Sequence, residues 1–135
     1  MKSKQPVKFI KTTKVYRGWG TENILTDSPL YLGKINFYKA GKAGGLQMHR
    51  EKDETFHVLS GTGWLDYDKG DGKITRVKIK SGDTIHIPTM AVHRIEAITD
   101  LLGIEFSNDI KEDRHRCEKE YGVEVIGEEG IPSTW

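Results

Sequence analysis

The stretch that decides the fold is Gln47-Met48-His49-Arg50-Glu51-Lys52-Asp53-Glu54. Side chains two residues apart on a β-strand point to the same face, so Gln47 and His49 share a face. The polar residues that follow suit a tight reversal. The next run, residues 54–59, has the β-branched and aromatic content of a strand. We therefore predict a hairpin that brings Glu54 back beside His49.

A later segment adds a second imidazole to this group. The run Thr84-Ile85-His86-Ile87 stops at Pro88, and His93 begins another strand that we place in the same neighbourhood. Two imidazoles, one carboxylate and one carboxamide suit a transition metal, whereas calcium and magnesium prefer oxygen ligands alone. The predicted ligands of one divalent transition metal are Gln47, His49, Glu54 and His93. Zinc is the expected ion, with manganese, iron and nickel as alternatives.

The same residues form a pattern that resembles a known superfamily. Gly45, His49, Glu54 and Gly61, followed by Gly82, Pro88 and His93, resemble the two motifs of the cupins, which are small β-barrels that hold a metal. One departure is Gln47, which takes the place of the first motif's first histidine. The resulting set resembles the mannose-6-phosphate isomerase group, especially the cupin domain at the end of bifunctional mannose-1-phosphate guanylyltransferases.

Further short matches extend this resemblance from about residue 15 to residue 122. The entry Arg17-Gly18-Trp19-Gly20 is similar to that group's Arg-Pro-Trp-Gly, and 93–96 is similar to its His-Arg-Leu-Glu. The closing segment matches at Asp113, Arg116, Glu118, Tyr121 and Gly122. The resemblance implies a metal-dependent isomerase, with mannose 6-phosphate and fructose 6-phosphate as the reference substrate pair.

The rest of the chain predicts an all-β fold. Many short apolar runs alternate with turn signals, and no 3.6-residue period appears before residue 109. We predict a single-domain cupin, a double-stranded β-helix or jelly-roll barrel. An N-terminal edge segment occupies 1–14, the barrel 15–122 and a C-terminal tail 123–135. The one predicted helix runs from Asp109 to Tyr121, and a charged, strand-like tail is the alternative.

Composition excludes several classes of function. The 135 residues include 21 basic and 20 acidic side chains, for a formal net charge of +1. No field of one sign is available for nucleic acid or an anionic membrane. Cys117 is the only cysteine, which excludes an internal disulfide and fits a reducing compartment. Without an apolar segment of membrane length or a signal peptide, we expect a cytoplasmic protein.

The ligand set itself points to a type of chemistry. A carboxamide in place of an imidazole leaves a divalent site net positive and suited to polarising a sugar oxygen. Aldose–ketose isomerisation also needs a base, for which Glu105 and Lys52 are the candidates. His57 is a third candidate, but strand alternation relative to Glu54 turns its side chain away from the site. Arg94 and Arg116 are the candidates for binding a substrate phosphate.

Two other functions remain open at this point. A non-catalytic cupin that binds sugars or regulates another protein would share the fold. A metal-dependent dioxygenase would share the metal, although such enzymes usually use three histidines and Gln47 argues against one. We also expect a homodimer, because the N-terminal edge strand is available to pair across a two-fold axis.

Overall fold

The structure is a computed structural model that describes residues 1–126 and 133–134. In chain order its elements are β1 (Thr13–Arg17), β2 (Gly20–Ile24), β3 (Leu32–Tyr38), β4 (Gln47–Met48), β5 (Glu54–Ser60), β6 (Thr62–Asp68), β7 (Ile74–Lys80), β8 (Thr84–Ile87), β9 (His93–Ala97), β10 (Leu101–Ser107), β11 (His115–Arg116) and α1 (Glu118–Tyr121). The strands form two antiparallel sheets. The first sheet has the order β1-β2-β3-β10-β5-β8, and the second has the order β11-β4-β9-β6-β7.

This architecture confirms the predicted all-β cupin fold, in its two-sheet jelly-roll form. The strands are short and rich in β-branched and aromatic residues, and antiparallel neighbours exchange their backbone hydrogen bonds. A turn over residues 69–73 joins β6 to β7, whose register pairs Asp68 with Ile74. Among the described residues, no helix is long and apolar enough to cross a membrane.

The interior between the sheets has an apolar half and a charged half. Inward-facing side chains run from Leu101 to Glu105 along β10, and from Ala97 to His93 along β9. The apolar half contains Trp19, Tyr38, Phe56, Val58, Leu65, Ile79, Ile95, Ala97 and Leu101. Burial of this cluster stabilises the sandwich, and the same strands carry polar side chains into the other half.

One glycine shows how tightly the apolar half is packed. Gly103 lies between Leu101 and Glu105, and a side chain there would collide with the ring of Phe56. Trp19 completes this region by stacking on Tyr38, with 4.1 Å between the ring centroids. The apolar half therefore holds β3, β5 and β10 in a fixed register beneath the charged half.

The predicted hairpin, which would join the strand of Gln47 and His49 to residues 54–59, is wrong. β4 pairs with β9 and β11 in the second sheet, whereas β5 pairs with β8 and β10 in the first. The polar residues 49–53 cross from one sheet to the other. Glu54 nevertheless approaches the histidines, because the two sheets face each other across the interior.

The predicted helix over residues 109–121 is also largely wrong, since α1 covers only Glu118–Tyr121. The upstream residues have no apolar stripe to bury, and their polar groups bind the barrel instead. The Asp113 carboxylate accepts hydrogen bonds from the backbone N–H groups of Glu51 and Lys52, at 2.7 and 3.1 Å. β11 then adds to the edge of the second sheet beside β4.

The structure describes the N-terminal end of the chain fully and the C-terminal end in part. Residues 1–12 contain no strand and are exposed, and the edge strand begins at Thr13. At the other end, the backbone carbonyl of Glu124 accepts a hydrogen bond from Arg94. Most of the predicted tail, residues 127–132 and 135, lies outside the described residues.

Candidate metal centre

Three of the four predicted metal ligands converge in the charged half of the interior. One ligand atom from each of His49, Glu54 and His93 lies within 4.8 Å of the other two. All three side chains are buried, and Nε2 of His93 lies 3.4 Å from Oε1 of Glu54. The centre is reached through a cavity of about 80 Å³ between the sheets.

Backbone carbonyls fix both imidazoles in the orientation that a metal requires. Nδ1–H of His49 donates to the carbonyl of Asp113, and Nδ1–H of His93 donates to the carbonyl of Ala91, at 2.9 Å for the latter. A neutral imidazole that donates from Nδ1 keeps a lone pair on Nε2. Histidine ligands in metal sites are typically oriented in this way. The residues present therefore fit a divalent transition metal.

Gln47 is placed to complete the set. It lies directly opposite His93 in the register of β4 and β9, and it lines the same cavity. Cross-strand partners of this kind share a face of the sheet, so the carboxamide is on the side of the two imidazoles. Its role as a fourth ligand stays a prediction.

A buried lysine ties the glutamate ligand to a second carboxylate. Nζ of Lys52 lies 3.0 Å from Oε2 of Glu54 and 2.5 Å from Oε2 of Glu105. Burial alone would lower the pKa of Lys52, but Glu105 and Glu54 outweigh it and raise the pKa above its ordinary value. Burial likewise opposes ionisation of Glu54, yet the charge of Lys52 holds its pKa well below the usual range. Lys52 is thus a cation at neutral pH and Glu54 an anion.

The charged chain continues away from the metal centre along β3 and β2. Nζ of Lys34 lies 4.0 Å from Oε2 of Glu105 and 3.2 Å from Oε1 of Glu22, whose other oxygen accepts from Arg17 at 2.8 Å. Burial raises the pKa of Glu22, but Lys34 and Arg17 lower it further than burial raises it. Alternating charges therefore extend through the cavity wall from Arg17 to Glu54.

One polar group in this wall has no protein partner. Asn36 is 2% exposed, and its Nδ2 donates to Oε1 of Glu105 at 3.3 Å. Its Oδ1 is buried without a hydrogen-bond partner among the described residues. Leaving such an acceptor unpaired costs about 1–3 kcal/mol, so this atom favours a hydroxyl or water donor in the cavity.

Comparison with known proteins identifies the family. The family model for the mannose-6-phosphate isomerase C-terminal domain matches residues 4–116. The chain belongs to this family. A curated relative, mannose-1-phosphate guanylyltransferase 2 from Escherichia coli O157:H7, is 28% identical over 96 residues, which are 71% of this chain and 19% of the relative.

Solved structures agree on the cupin fold. The capsular polysaccharide assembling protein CapF from Staphylococcus aureus superposes with a TM-score of 0.70 at 22% identity, covering 80% of this chain and 33% of CapF. A variant of Bacillus subtilis oxalate decarboxylase gives a TM-score of 0.71 at 15% identity, covering 91% of this chain and 41% of the decarboxylase. This member of the isomerase family thus spans only a fraction of each relative's length.

The structure places both predicted catalytic residues in the cavity of this family member. Glu105 faces inward from β10, opposite Lys34 in β3, and Lys52 lies between Glu105 and Glu54. His57 lies away from the cavity, where its Nδ1 is 2.7 Å from Oγ1 of Thr84. The catalytic roles of Glu105 and Lys52 stay predictions.

The two predicted phosphate ligands have different surroundings. Arg116 pairs with Gln47 in the register of β11 and β4, lines the cavity, and forms an ion pair with Glu118. The guanidinium of Arg94 donates to Asp66 at 3.0 and 3.1 Å and to the carbonyl of Glu124 at 2.9 Å. These partners favour a structural role for Arg94, whose contact with substrate stays a prediction.

Three cavity residues were missed by the sequence prediction. Glu22, Lys34 and Asn36 are buried in the charged half, and none was a candidate. For Lys34 and Asn36 the sequence contains a signal, because strand alternation places both on one face of β3 together with Tyr38. A polar face normally indicates the solvent side of a strand, but here it is the inner side.

Proposed function

We propose that this domain is a metal-dependent aldose–ketose isomerase acting on a sugar phosphate such as mannose 6-phosphate or fructose 6-phosphate. The observation behind this proposal is that one buried cavity contains both a set of metal ligands and a candidate base. The ligand atoms of His49, His93 and Glu54 converge, and Lys52 joins Glu54 to Glu105 by ion pairs with both. The family membership and the guanylyltransferase relative support the same class of substrate.

The metal centre accounts for one half of this chemistry. A divalent cation, zinc in our proposal, would be held by Gln47, His49, Glu54 and His93, and would supply Lewis acidity toward the oxygens of an open-chain sugar. The surrounding burial excludes bulk water, which strengthens electrostatic interactions in the cavity. We also propose a reducing, cytoplasmic location, which the single buried cysteine, Cys117, supports.

The protein side chains account for the proton transfer. Glu105 accepts the proton from C2 of the aldose and returns it to C1, while the hydroxyl proton moves from O2 to O1. Lys52 stays protonated, positions the Glu105 carboxylate through the 2.5 Å contact, and contributes positive charge beside the reacting oxygens. Arg116, on the cavity side of β11, is the proposed contact for the phosphate.

The experiment is proton exchange at C2 in deuterated water. With zinc or manganese added, the wild-type chain should catalyse deuterium incorporation into aldose and ketose phosphates, followed by NMR. Glu105→Gln should slow exchange by about 10²–10⁴-fold, the usual contribution of a general base. Glu124→Gln, at an exposed glutamate whose side chain does not line the cavity, is the matched control. No exchange across phosphorylated and free hexoses and pentoses, with metal bound, would contradict an isomerase.

A second candidate function is a non-catalytic sugar-binding module. The observation that favours it is the saturation of the charged wall, because Glu105 is already engaged by Lys52 at 2.5 Å. A carboxylate held so closely is a weaker base toward carbon. Saturable sugar binding measured by calorimetry, without any exchange at C2, would establish this alternative.

A further inference from the structure

A second group of metal-ligating side chains lies outside the cavity, where β11 leads into α1. His115, Cys117 and Glu120 each offer a ligand atom within 4.8 Å of the other two. The isomerase chemistry uses none of them. We propose that these three residues form a second cation site, for zinc or a similar thiophilic divalent ion, which fastens α1 to β11 at the edge of the second sheet.

Strand alternation separates this site from the first metal centre. Arg116 is paired with Gln47 and faces the cavity, whereas His115 is paired with Met48 and faces the opposite way. Cys117 follows β11 directly, and its Sγ lies within 4.8 Å of a ligand atom of His115. Glu120, three residues later and within α1, turns back over Cys117.

The donor set has the composition of a zinc site. Cysteine thiolate, imidazole nitrogen and carboxylate oxygen are the three donor types that zinc takes in proteins. Nε2 of His115 and Oε2 of Glu120 are 3.3 Å apart. Zinc bonds of about 2.0–2.2 Å across a tetrahedral angle separate two such atoms by about 3.4 Å. The thiolate and carboxylate together carry the two negative charges that neutralise a divalent ion.

The burial of the three groups suits an ion that enters from solvent. Cys117 is 1% exposed and packs with Leu46 and Val92, while the side chains of His115 and Glu120 are 32% and 52% exposed. Burial, with smaller effects of Glu120 and Glu118, raises the pKa of the Cys117 thiol to about 11. A divalent ion bound at this site takes the place of the proton on the Cys117 sulfur.

Such an ion would act on the cavity through the backbone. It would join β11 to a helix of only four residues, which has little stability of its own. The segment just before it supplies Asp113, whose carbonyl orients His49, and β11 itself supplies Arg116. The second site would thus hold in place two residues that face the first, without contacting substrate.

The test is cobalt binding to the untagged, reduced, metal-free chain. In a His49→Ala, His93→Ala double variant, which lacks the first centre, one Co²⁺ per chain should produce a thiolate-to-cobalt charge-transfer band, and zinc should displace it. Cys117→Ser in that background should abolish the band. His115→Gln and Glu120→Gln should weaken binding by about 100-fold or more, since even residues that only orient a ligand change affinity by about 10–100-fold.

Glu112→Gln, an exposed glutamate of the same segment, is the matched control and should leave the band unchanged. If the double variant fails to fold by circular dichroism, the second equivalent of cobalt added to the wild type should carry the band. Absence of the band in both proteins would overturn the proposal. Equal cobalt affinity in His115→Gln, Glu120→Gln and Glu112→Gln would overturn it as well, independently of any isomerase activity.

Discussion

At the scale of single residues, two backbone carbonyls decide what the histidines can do. Asp113 and Ala91 accept Nδ1–H from His49 and His93, so both Nε2 lone pairs remain for a cation. The predicted result of a His49→Ala, His93→Ala double substitution is the loss of one bound zinc per chain, measured by elemental analysis. His57→Ala, on the outer side of β5, is the control. Equal zinc content in the double variant and the wild type would contradict the assignment of His49 and His93 as metal ligands.

Lys52 provides a second test at this scale. Its side chain is 6% exposed and neutralises Glu54 and Glu105, whose side chains are 6% and 10% exposed. Lys52→Met removes the cation that lies between two buried carboxylates, so we expect the free energy of unfolding of the metal-free protein to fall by about 3–5 kcal/mol.

Urea denaturation at neutral pH measures this change. Lys111→Met is the matched control, since Lys111 is 54% exposed and its ion pair with Asp109 should contribute less than about 1 kcal/mol. A Lys52→Met variant as stable as Lys111→Met would show that the buried pairs contribute little.

At the scale of elements, the second sheet is held by an ion-pair cluster across β6, β7 and β9. Asp66 accepts from Arg76 at 2.7 and 3.0 Å and from Arg94 at 3.0 and 3.1 Å. Burial raises the pKa of Asp66, but hydrogen bonds from Arg76 and Arg94 lower it below its ordinary value of 3.8. The stabilisation is therefore complete above about pH 4 and is lost as the pH falls through the lowered pKa.

Asp66→Asn tests this cluster and the place of Arg94 in it. At neutral pH the substitution should reduce the free energy of unfolding by about 3 kcal/mol, because Arg94 loses its buried partner. The difference from wild type should shrink progressively below about pH 4, as the wild-type carboxylate also becomes neutral. Asp71→Asn in the β6–β7 loop is the control. A cost that does not change with pH would exclude ionisation of Asp66 as its origin.

Element identity was more predictable than element pairing. Local composition was sufficient to identify strands such as β5 and β8, because β propensity acts over a few residues. It failed to give the pairing of β4 and β5, since residues 49–53 look like a hairpin turn although they cross between sheets. Local composition also wrongly predicted a helix over residues 109–117. There, hydrogen bonds from distant backbone N–H groups to Asp113 replace helical hydrogen bonds.

The same limit applies to the candidate site. His49, Glu54 and His93 were found together because metal ligands have distinctive chemistry and spacing, and their convergence survives the wrong hairpin. Lys34 and Asn36 were missed because an alternating strand does not reveal which of its faces is buried. That face is set by the pairing of β3 with β2 and β10, which joins residues far apart in sequence.

At the scale of the whole molecule, positive and negative charges nearly balance, and the same balance holds in the ion-pair chain of the cavity wall. The chain has a formal net charge of +1, and the cavity wall contains three cations and three carboxylates in sequence from Arg17 to Glu54. The charges of these six groups cancel one another, so a divalent ion would add positive charge to the cavity. This arrangement favours an anionic substrate, such as a sugar phosphate, over a neutral one.

Among the described residues, the first sheet ends at a strand edge that suggests how the molecule associates. β1 is its outermost strand, and the exposed segment before it contains Val7, Phe9 and Ile10, at 92%, 103% and 46% exposure. Tyr16, within β1, is 77% exposed. An open strand edge beside apolar side chains favours pairing with an identical edge across a two-fold axis. We therefore predict a homodimer formed through residues 7–17.

Sedimentation at micromolar concentration tests this prediction, with an expected mass of twice 15.3 kDa for the wild type. A Val7→Lys, Phe9→Lys double variant should sediment as a 15.3 kDa monomer, because two charges placed in the contact would have to be buried. Val125→Lys, at an apolar residue that is 42% exposed far along the chain, is the control and should leave the dimer intact. A wild-type mass near 15.3 kDa would contradict the dimer, and a dimeric double variant would place the contact on another surface.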